Sequence, residues 1–124
     1  MDMAKILIVE DNEKNRMLLR DILNHHGHEV LEAVNGSEGL DMAREHLPDL
    51  IFMDIQMPVM SGLTAGEALK SDARTRDIKT VALTAFAMKG DRERILASGF
   101  DEYMSKPLDT RRLPQLVAEL LGGK

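Results

Sequence analysis

The sequence predicts a doubly wound α/β domain, in which helices cover both faces of a parallel sheet of five strands. Short apolar runs alternate with helical patterns along the whole chain. The run at 50–53 is apolar without interruption, as expected for a strand that is covered on both faces. Connections between the runs are short, so we expect one domain over residues 1–124, with no linker, repeat or second domain.

The first half of the chain contains three predicted strands and two helices. The strands are expected near 5–9, 29–33 and 49–53. The first helix, near 13–26, carries one apolar stripe and stops at Gly27. That stripe consists of Leu18, Leu19, Ile22 and Leu23. Asn35 opens the second helix with capping-box spacing to Glu38, and the pattern continues to about His46.

The second half begins with a loop over 56–62, which its Pro and Gly content indicates. The remaining strands and the next two helices follow it in alternation. Helices are predicted near 63–70 and 89–98, strands near 80–84 and 102–104, and Gly99 is the expected cap of the weaker fourth helix.

The fifth helix is predicted to begin at Pro114, because proline is tolerated in the first turn of a helix and not deep inside it. Residues 109–113 are then a preceding turn. The apolar residues of the fifth helix have helical spacing and are Leu116, Val117, Leu120 and Leu121. Gly122 and Gly123 are expected to end it.

Composition excludes several classes of protein. The 124 residues include 21 acidic and 16 basic ones, a net charge of −5, and no basic run that would favour binding to nucleic acid or an anionic membrane. The absence of cysteine excludes disulfides, thiol catalysis and thiolate metal sites. The N-terminus lacks the apolar stretch of a signal peptide, and the apolar runs are too short to cross a bilayer. We expect a cytoplasmic protein.

Polar side chains follow four of the predicted strands. Glu10 and Asp11 follow the first, Asp54 the third, Thr84 ends the fourth, and Lys106 follows the fifth. Because the carboxyl ends of parallel strands converge on one crevice, we expect these groups to lie together. Carboxylates, a hydroxyl and an ammonium in one crevice indicate a site for a divalent cation and a phosphoryl group.

The expected cation is Mg²⁺, with Mn²⁺ able to substitute, because a hard dication selects oxygen ligands. Asp11 and Asp54 are the candidate direct ligands, with Glu10 holding a metal-bound water and the backbone carbonyl of Gln56 completing the set. Without metal, three neighbouring carboxylates repel one another, which is expected to raise at least one pKa.

Asp54 is the candidate nucleophile, since a carboxylate can attack phosphorus and form an acyl phosphate. Phosphoryl transfer depends mainly on positioning and on neutralising charge. Mg²⁺ is expected to neutralise one phosphoryl oxygen and Lys106 a second, while the Thr84 hydroxyl donates to a third.

These residues resemble the receiver domain of two-component response regulators, the CheY-like family. The matching stretches are 6–12, 48–58, 61–62, 82–85 and 106–107, and the resemblance covers essentially the whole chain. It implies the strand order 2-1-3-4-5. A narrower likeness, at 12–15 and 84–91, is to single-domain receivers of the DivK type and to receivers of hybrid histidine kinases. Glu10 departs from the commoner Asp-Asp pair.

The resemblance assigns a role to each residue of the site. Asp54 becomes the phosphoacceptor, Glu10 and Asp11 the acidic pair, Thr84 the switch hydroxyl, Lys106 the family lysine and Tyr103 the switch aromatic. It also implies a cis bond before Pro107. In this family the residues two past the acceptor and two past the threonine tune dephosphorylation, and here these are Gln56 and Phe86.

A mechanism and partners follow from that likeness. The phosphohistidine of a histidine kinase or a histidine phosphotransferase is expected to donate to Asp54. Thr84 then moves toward the phosphoryl group and Tyr103 rotates inward, repacking the face of the fourth helix, fifth strand and fifth helix. Since the chain stops after the fifth helix, output is expected through a downstream regulatory protein, from a monomer or weak dimer. The candidate docking face on the fourth helix includes Met88, Lys89, Arg92 and Arg94.

Four alternatives differ in how they would use the same residues. The first is a receiver excised from a hybrid histidine kinase. The second is a phosphatase of the haloacid-dehalogenase type, which would want an acid where Gln56 stands. The third is a flavodoxin-like module, for which the acidic loop after the first strand is unsuitable, and the fourth a degenerate scaffold. We expect a signalling protein rather than an enzyme, with self-catalysed phosphorylation and dephosphorylation only.

Three histidines surround Gly27: His25, His26 and His28. A zinc site is conceivable, because imidazole is a good ligand. We expect instead that they are solvated at a helix C-terminus, where positive charge is favourable.

Overall fold

The computed structural model describes residues 4–56, 62–85 and 89–122, without the side chain of Lys89. Several predicted features lie outside the described residues. These are most of the loop at 56–62, the tuning residue Phe86, the docking residue Met88 and the terminal Gly123.

Five strands and five helices alternate in the described chain. The strands are β1 (Lys5–Val9), β2 (Glu29–Ala33), β3 (Leu50–Asp54), β4 (Lys79–Thr84) and β5 (Glu102–Ser105). The helices are α1 (Glu13–His25), α2 (Gly36–His46), α3 (Gly62–Ser71), α4 (Lys89–Ala97) and α5 (Arg112–Leu121). All strand pairs are parallel, in the order β2-β1-β3-β4-β5. The predicted doubly wound α/β fold is confirmed.

The sheet is buried on both faces, which explains the unbroken apolar run in β3. Leu50 and Phe52 belong to one apolar cluster, with side chains of α1 and α5. Ile51 and Met53 belong to a second cluster, with side chains of α2, α3 and α4. Alternate residues of a strand point to opposite faces, so both sets must be apolar.

Helix ends largely follow the sequence signals. Asn35 caps α2 by accepting from the Glu38 N–H at 2.8 Å, and Glu38 accepts in return from the N–H of Val34. Gly27 (φ +86°) and Gly99 (φ +101°) turn the chain after α1 and α4 in a backbone conformation that favours glycine. These local signals act within a few residues, which is why the sequence shows them.

The predicted start of α5 at Pro114 is wrong. The helix begins at Arg112, so Pro114 is its third residue. The first N–H groups of a helix have no intrahelical acceptor, and proline therefore removes nothing at this position. The carboxylate of Asp109 accepts from the N–H groups of Arg111 and Arg112, at 3.0 and 3.3 Å, and supports the earlier start.

The apolar stripe of α1 is narrower than predicted. Leu19 and Leu23, one turn apart, are buried, and Ile22 packs beside them, but Leu18 is 40% exposed. A residue adjacent in sequence is rotated by about 100° around the helix, which places Leu18 at the edge of the buried face.

The prediction that His28 is solvated is wrong. Its side chain is buried, and its Nδ1 accepts from the backbone N–H of Ala4 at 3.1 Å. Burial, and secondarily the charge of His26, lowers the pKa of His28. His28 is therefore a neutral part of the core just before β2.

Gly39 allows α2 to approach the end of β1, immediately before the site. A Cβ at this position would lie 2.8 Å from Cγ2 and 3.0 Å from Cγ1 of Val9. We expect Gly39→Ala to lower the free energy of unfolding by about 1 kcal/mol, because overpacking of about 2 kcal/mol exceeds the gain in helix propensity. Urea unfolding measures this loss. Gly90→Ala in α4 is the control, since a Cβ there meets nothing within 4 Å, and an equal effect of both changes would contradict the packing argument.

Within the described part of the chain, no helix combines the length and apolar character needed to cross a membrane.

Candidate functional site

The strand order brings the predicted site residues to one end of the sheet. Glu10 follows β1 and Asp54 ends β3, its direct neighbour in the sheet. Thr84 ends β4 on the other side of β3, one residue beyond the partner of Asp54. All three side chains are buried. The β3 strand extends one residue further than predicted, so Asp54 belongs to the sheet and is held by its ladder.

Three carboxylates face one another at this end. One carboxylate oxygen from each of Glu10, Asp11 and Asp54 lies within 4.8 Å of the other two. Asp11 is exposed, while Glu10 and Asp54 are not. The cluster therefore consists of two buried carboxylates and one exposed carboxylate, and a ligand can approach it from the side of Asp11.

Lys106 supplies the positive charge of the site. Its Nζ donates to Oδ2 of Asp54 at 2.9 Å and lies 3.0 Å from Oε1 of Glu10. Burial by itself would lower the pKa of Lys106, but the contacts with Asp54 and then Glu10 outweigh it and raise that pKa. The Lys106 N–H donates to the Thr84 carbonyl at 2.8 Å, and the Lys106–Pro107 peptide bond is cis.

Glu10 is the most perturbed acid of the site. Oε2 accepts from the Asn12 N–H at 3.2 Å, but Oε1 has no hydrogen-bond partner among the described residues. Its 3.0 Å contact with Lys106 is an ion pair without hydrogen-bond geometry. Burial first, and then the neighbouring Asp54, raise the pKa of Glu10 to about 7, against the opposing effects of Lys106 and Asn12.

Gln56 contacts the site through atoms that the sequence did not indicate. Its N–H donates to Oδ1 of Asp54 at 2.8 Å, and its side-chain Oε1 accepts from the Ala85 N–H at 2.9 Å. Gln56 thus links the ends of β3 and β4 beside Asp54. The sequence suggested only its backbone carbonyl, because a long polar side chain after a strand carries no signal for its partner.

The donor set fits a hard dication. Glu10 Oε1 is a buried carboxylate oxygen that accepts no hydrogen bond within the described parts of the chain. It lies in a cluster of three acids whose negative charge the ammonium of Lys106 only partly neutralises. Oxygen ligands and excess negative charge are what Mg²⁺ selects. The three acids predicted from the sequence and Lys106 therefore lie together at this end of the sheet.

Tyr103 lies on β5, at the side of the sheet next to α4. It is half-buried, and its hydroxyl accepts from Nη1 of Arg92 at 3.2 Å. Tyr103, Arg92, Glu93 and Leu96 line a groove of about 250 Å³. The hydroxyl is thus bonded to α4 at the surface, while the ring packs against the apolar cluster that includes Ile95.

Comparison with known proteins places this arrangement in a family. The family described as "Response regulator receiver domain" matches residues 6–118. The chain belongs to that family. It is a two-component response regulator, a signalling protein of the CheY-like fold.

Relatives sharpen this assignment. The chain is 50% identical to the polar-differentiation response regulator DivK of Brucella anthropi, over 94% of this chain and 95% of the relative. It is 30% identical to the receiver domain of the sensor histidine kinase PA1611 from Pseudomonas aeruginosa, with a TM-score of 0.90 over 98% of this chain and 99% of that one. That crystal structure holds a magnesium ion coordinated in its active-site cleft.

A third similar structure includes a partner. The chain is 31% identical to a protein in the co-crystal of Saccharomyces cerevisiae Ypd1, a histidine phosphotransfer protein, with the receiver domain of Ssk1. The TM-score is 0.89, over 97% of this chain and 90% of that one. Since the DivK match is the more identical and spans nearly the full relative, a receiver of the DivK type is favoured over one excised from a hybrid kinase.

Proposed function

We propose that the chain, as a single receiver domain over residues 1–124 in the cytoplasm, accepts a phosphoryl group on Asp54. The donor is the phosphohistidine of a histidine kinase or a histidine phosphotransferase. The observation that carries this proposal is the environment of the Asp54 carboxylate, which is buried, bonded to Lys106 at 2.9 Å and clustered with two further acids. This carboxylate has one oxygen beside a cation, which can also neutralise charge on an incoming phosphoryl group.

The proposed reaction transfers a phosphoryl group from a histidine nitrogen of the partner to a carboxylate oxygen of Asp54. A carboxylate oxygen of Asp54 attacks phosphorus, the P–N bond breaks, and its electron pair stays on the departing imidazole, which takes up a proton from solvent. The new bond is an acyl phosphate. Thr84 and Lys106 lie at the same end of the sheet, and in this proposal the hydroxyl of Thr84 and the ammonium of Lys106 bind phosphoryl oxygens. In the proposed dephosphorylation, water attacks phosphorus and the P–O bond to Asp54 breaks, so that the electron pair returns to the Asp54 carboxylate and inorganic phosphate leaves.

The oxygen donors and the excess negative charge of this site suit a dication, which would compete with Lys106 for the carboxylates. Asp11, Asp54 and the carbonyl of Gln56 would ligate Mg²⁺ or Mn²⁺, and Glu10 would hold a metal-bound water. When bound, the metal supplies positive charge to one phosphoryl oxygen. The protein's part is to hold Asp54 in the β3 ladder and to keep Lys106 within reach.

Output is proposed to pass through Thr84 and Tyr103. Movement of the buried Thr84 toward the phosphoryl group opens space beside β5, and Tyr103 then gives up its bond with Arg92 and turns inward. Moving such an equilibrium from mostly off to mostly on takes about 5.5 kcal/mol of differential stabilisation. A downstream regulatory protein then binds the α4–β5–α5 face, which includes Arg92 and Arg94. The chain acts as a monomer or weak dimer.

The test is phosphoryl uptake from acetyl phosphate with Mg²⁺, measured by intact-protein mass spectrometry. We expect a gain of one phosphoryl group in the wild type and none in Asp54→Asn, because an amide is not a nucleophile at neutral pH. Asp49→Asn is the matched control, since Asp49 precedes the opposite end of β3 and its carboxylate accepts from the Lys5 N–H, away from the site. Equal uptake by wild type and Asp54→Asn would refute the assignment.

A further inference from the structure

Arg16 contacts the backbone of the site rather than its carboxylates, and its side chain is largely buried. Its Nη1 donates to the backbone carbonyl of Glu10 at 3.0 Å, and its Nε donates to Oε1 of Glu32 on β2 at 3.1 Å. The Arg16 side chain is 17% exposed. One planar guanidinium thus ties α1, β2 and the turn that carries the acids.

The carbonyl that Arg16 holds controls the direction of Asp11. The Glu10 carbonyl and the Asp11 N–H belong to the same planar peptide unit. A hydrogen bond that fixes the carbonyl therefore also fixes the orientation of the peptide plane that leads into Asp11. The other side of Glu10 is already held, since its N–H donates to the Ala33 carbonyl at 3.0 Å. Asp11 is the exposed acid of the cluster, so surrounding side chains restrict its orientation less than they restrict the buried Glu10 and Asp54.

Glu32 in turn fixes the guanidinium. Because Nε and Nη1 lie in one rigid plane, the bond to Glu32 aims Nη1 at the Glu10 carbonyl. Arg20, one turn further along α1, also contacts Glu32, at 3.4 Å, but among the described contacts it has none with Glu10. The chain therefore contains a near-duplicate of Arg16 that shares the ion pair and lacks the link to the site.

We propose that Arg16, oriented by Glu32, is a positioning residue that holds Asp11 in the geometry for cation binding. This rests on the function proposed above. Removing a group that orients metal ligands commonly weakens metal affinity by about tenfold or more. An ion pair that merely fastened α1 to β2 would alter stability and leave the cation affinity unchanged.

The test is Mn²⁺ binding, measured by electron paramagnetic resonance of the free ion, in wild type, Arg16→Gln, Glu32→Gln and Arg20→Gln. We expect Arg16→Gln to weaken binding about tenfold, Glu32→Gln to weaken it less, and Arg20→Gln to stay within about twofold of wild type. The Asp11 amide resonance in the metal-free protein should shift in the first two variants and not in the third. Thermal unfolding checks that each variant is folded.

The outcomes separate this proposal from the one on which it rests. Wild-type affinity in folded Arg16→Gln, or equal losses in Arg16→Gln and Arg20→Gln, would overturn the role of Arg16 and leave the proposed function standing. If Arg16→Gln does not fold, unchanged affinity in Glu32→Gln overturns it instead. A wild-type protein that binds no Mn²⁺ and takes up no phosphoryl group would overturn both.

Discussion

Glu10→Gln is expected to stabilise the metal-free protein by about 3 kcal/mol at pH 8. The folded protein holds the pKa of Glu10 at about 7, against an ordinary value of 4.5, chiefly because the side chain is buried. Above pH 7 the wild type must keep a buried carboxylate charged beside Asp54. Glutamine has nearly the same shape and no charge, so the variant is free of that cost.

The folded and unfolded proteins bind different numbers of protons at Glu10, and this difference sets how the free energy of unfolding changes with pH. Between pH 4.5 and about 7 the folded wild type keeps the Glu10 proton, while the unfolded chain has lost it. Wild-type stability should therefore fall across this window as the pH rises, relative to Glu10→Gln, and the two should agree near pH 4. His28 titrates with the opposite sign, because its pKa is lowered in the folded state. Only the difference between variant and wild type isolates Glu10.

Urea unfolding from pH 4 to 8 without metal, with denaturant midpoints compared at each pH, measures this effect. Glu45→Gln is the control, because the side chain of Glu45 is 75% exposed and should change little at any pH. Saturating Mg²⁺ should stabilise the wild type more than Glu10→Gln, since the cation relieves the repulsion that the variant lacks. A constant difference between wild type and Glu10→Gln over the whole pH range would contradict the raised pKa.

Lys106→Met is expected to lower the free energy of unfolding by about 3 kcal/mol at pH 8 without metal. Lys106 is the cation between two buried carboxylates, at 2.9 Å from Asp54 and 3.0 Å from Glu10. Methionine retains much of the apolar stem and removes the charge. The two acids are then left without a counter-charge, which costs more than the ion pair itself contributes.

Two comparisons separate the charge from the loss of packing. The double variant Lys106→Met/Glu10→Gln should recover much of the lost stability, because only one buried charge then remains. Calorimetry should show tighter Mg²⁺ binding by Lys106→Met than by wild type, since the metal no longer competes with an ammonium. Lys70→Met is the control for Mg²⁺ binding, as Lys70 is similarly buried and its contacts with Asp101 and with the carbonyls of Arg76 and Ile78 lie away from the site. Weaker Mg²⁺ binding by Lys106→Met would contradict this account.

The fold could be predicted because its signals are local and repeated. The unbroken apolar run of β3 indicates burial on both faces, and the glycines after α1 and α4 mark turns that need a left-handed backbone. The start of α5 was missed because Asp109, three residues before the helix, supplies the acceptors for its first N–H groups. Proline alone indicated only where the helix could not continue.

Other features depended on which elements pack together. Leu18 lies at the edge of the stripe on α1, where the apolar pattern alone cannot distinguish a buried from an exposed leucine. His28 is buried, and its ring nitrogen accepts from the N–H of Ala4, which is distant in sequence. The Arg16 contact with the Glu10 carbonyl has no sequence signal, since any long polar side chain on a helix can reach several acceptors.

The sequence by itself determined the alternation of strands and helices and the polar residues at the ends of four strands. Those residues had to meet, because parallel strands present their carboxyl ends to one edge. Only the tertiary structure decided how they meet: Lys106 lies between Glu10 and Asp54, and Gln56 links β3 and β4. It also left one oxygen of Glu10 without a hydrogen bond from any residue that the structure describes. Spacing along a chain fixes which face a residue occupies, whereas burial and partners depend on segments brought together from far apart.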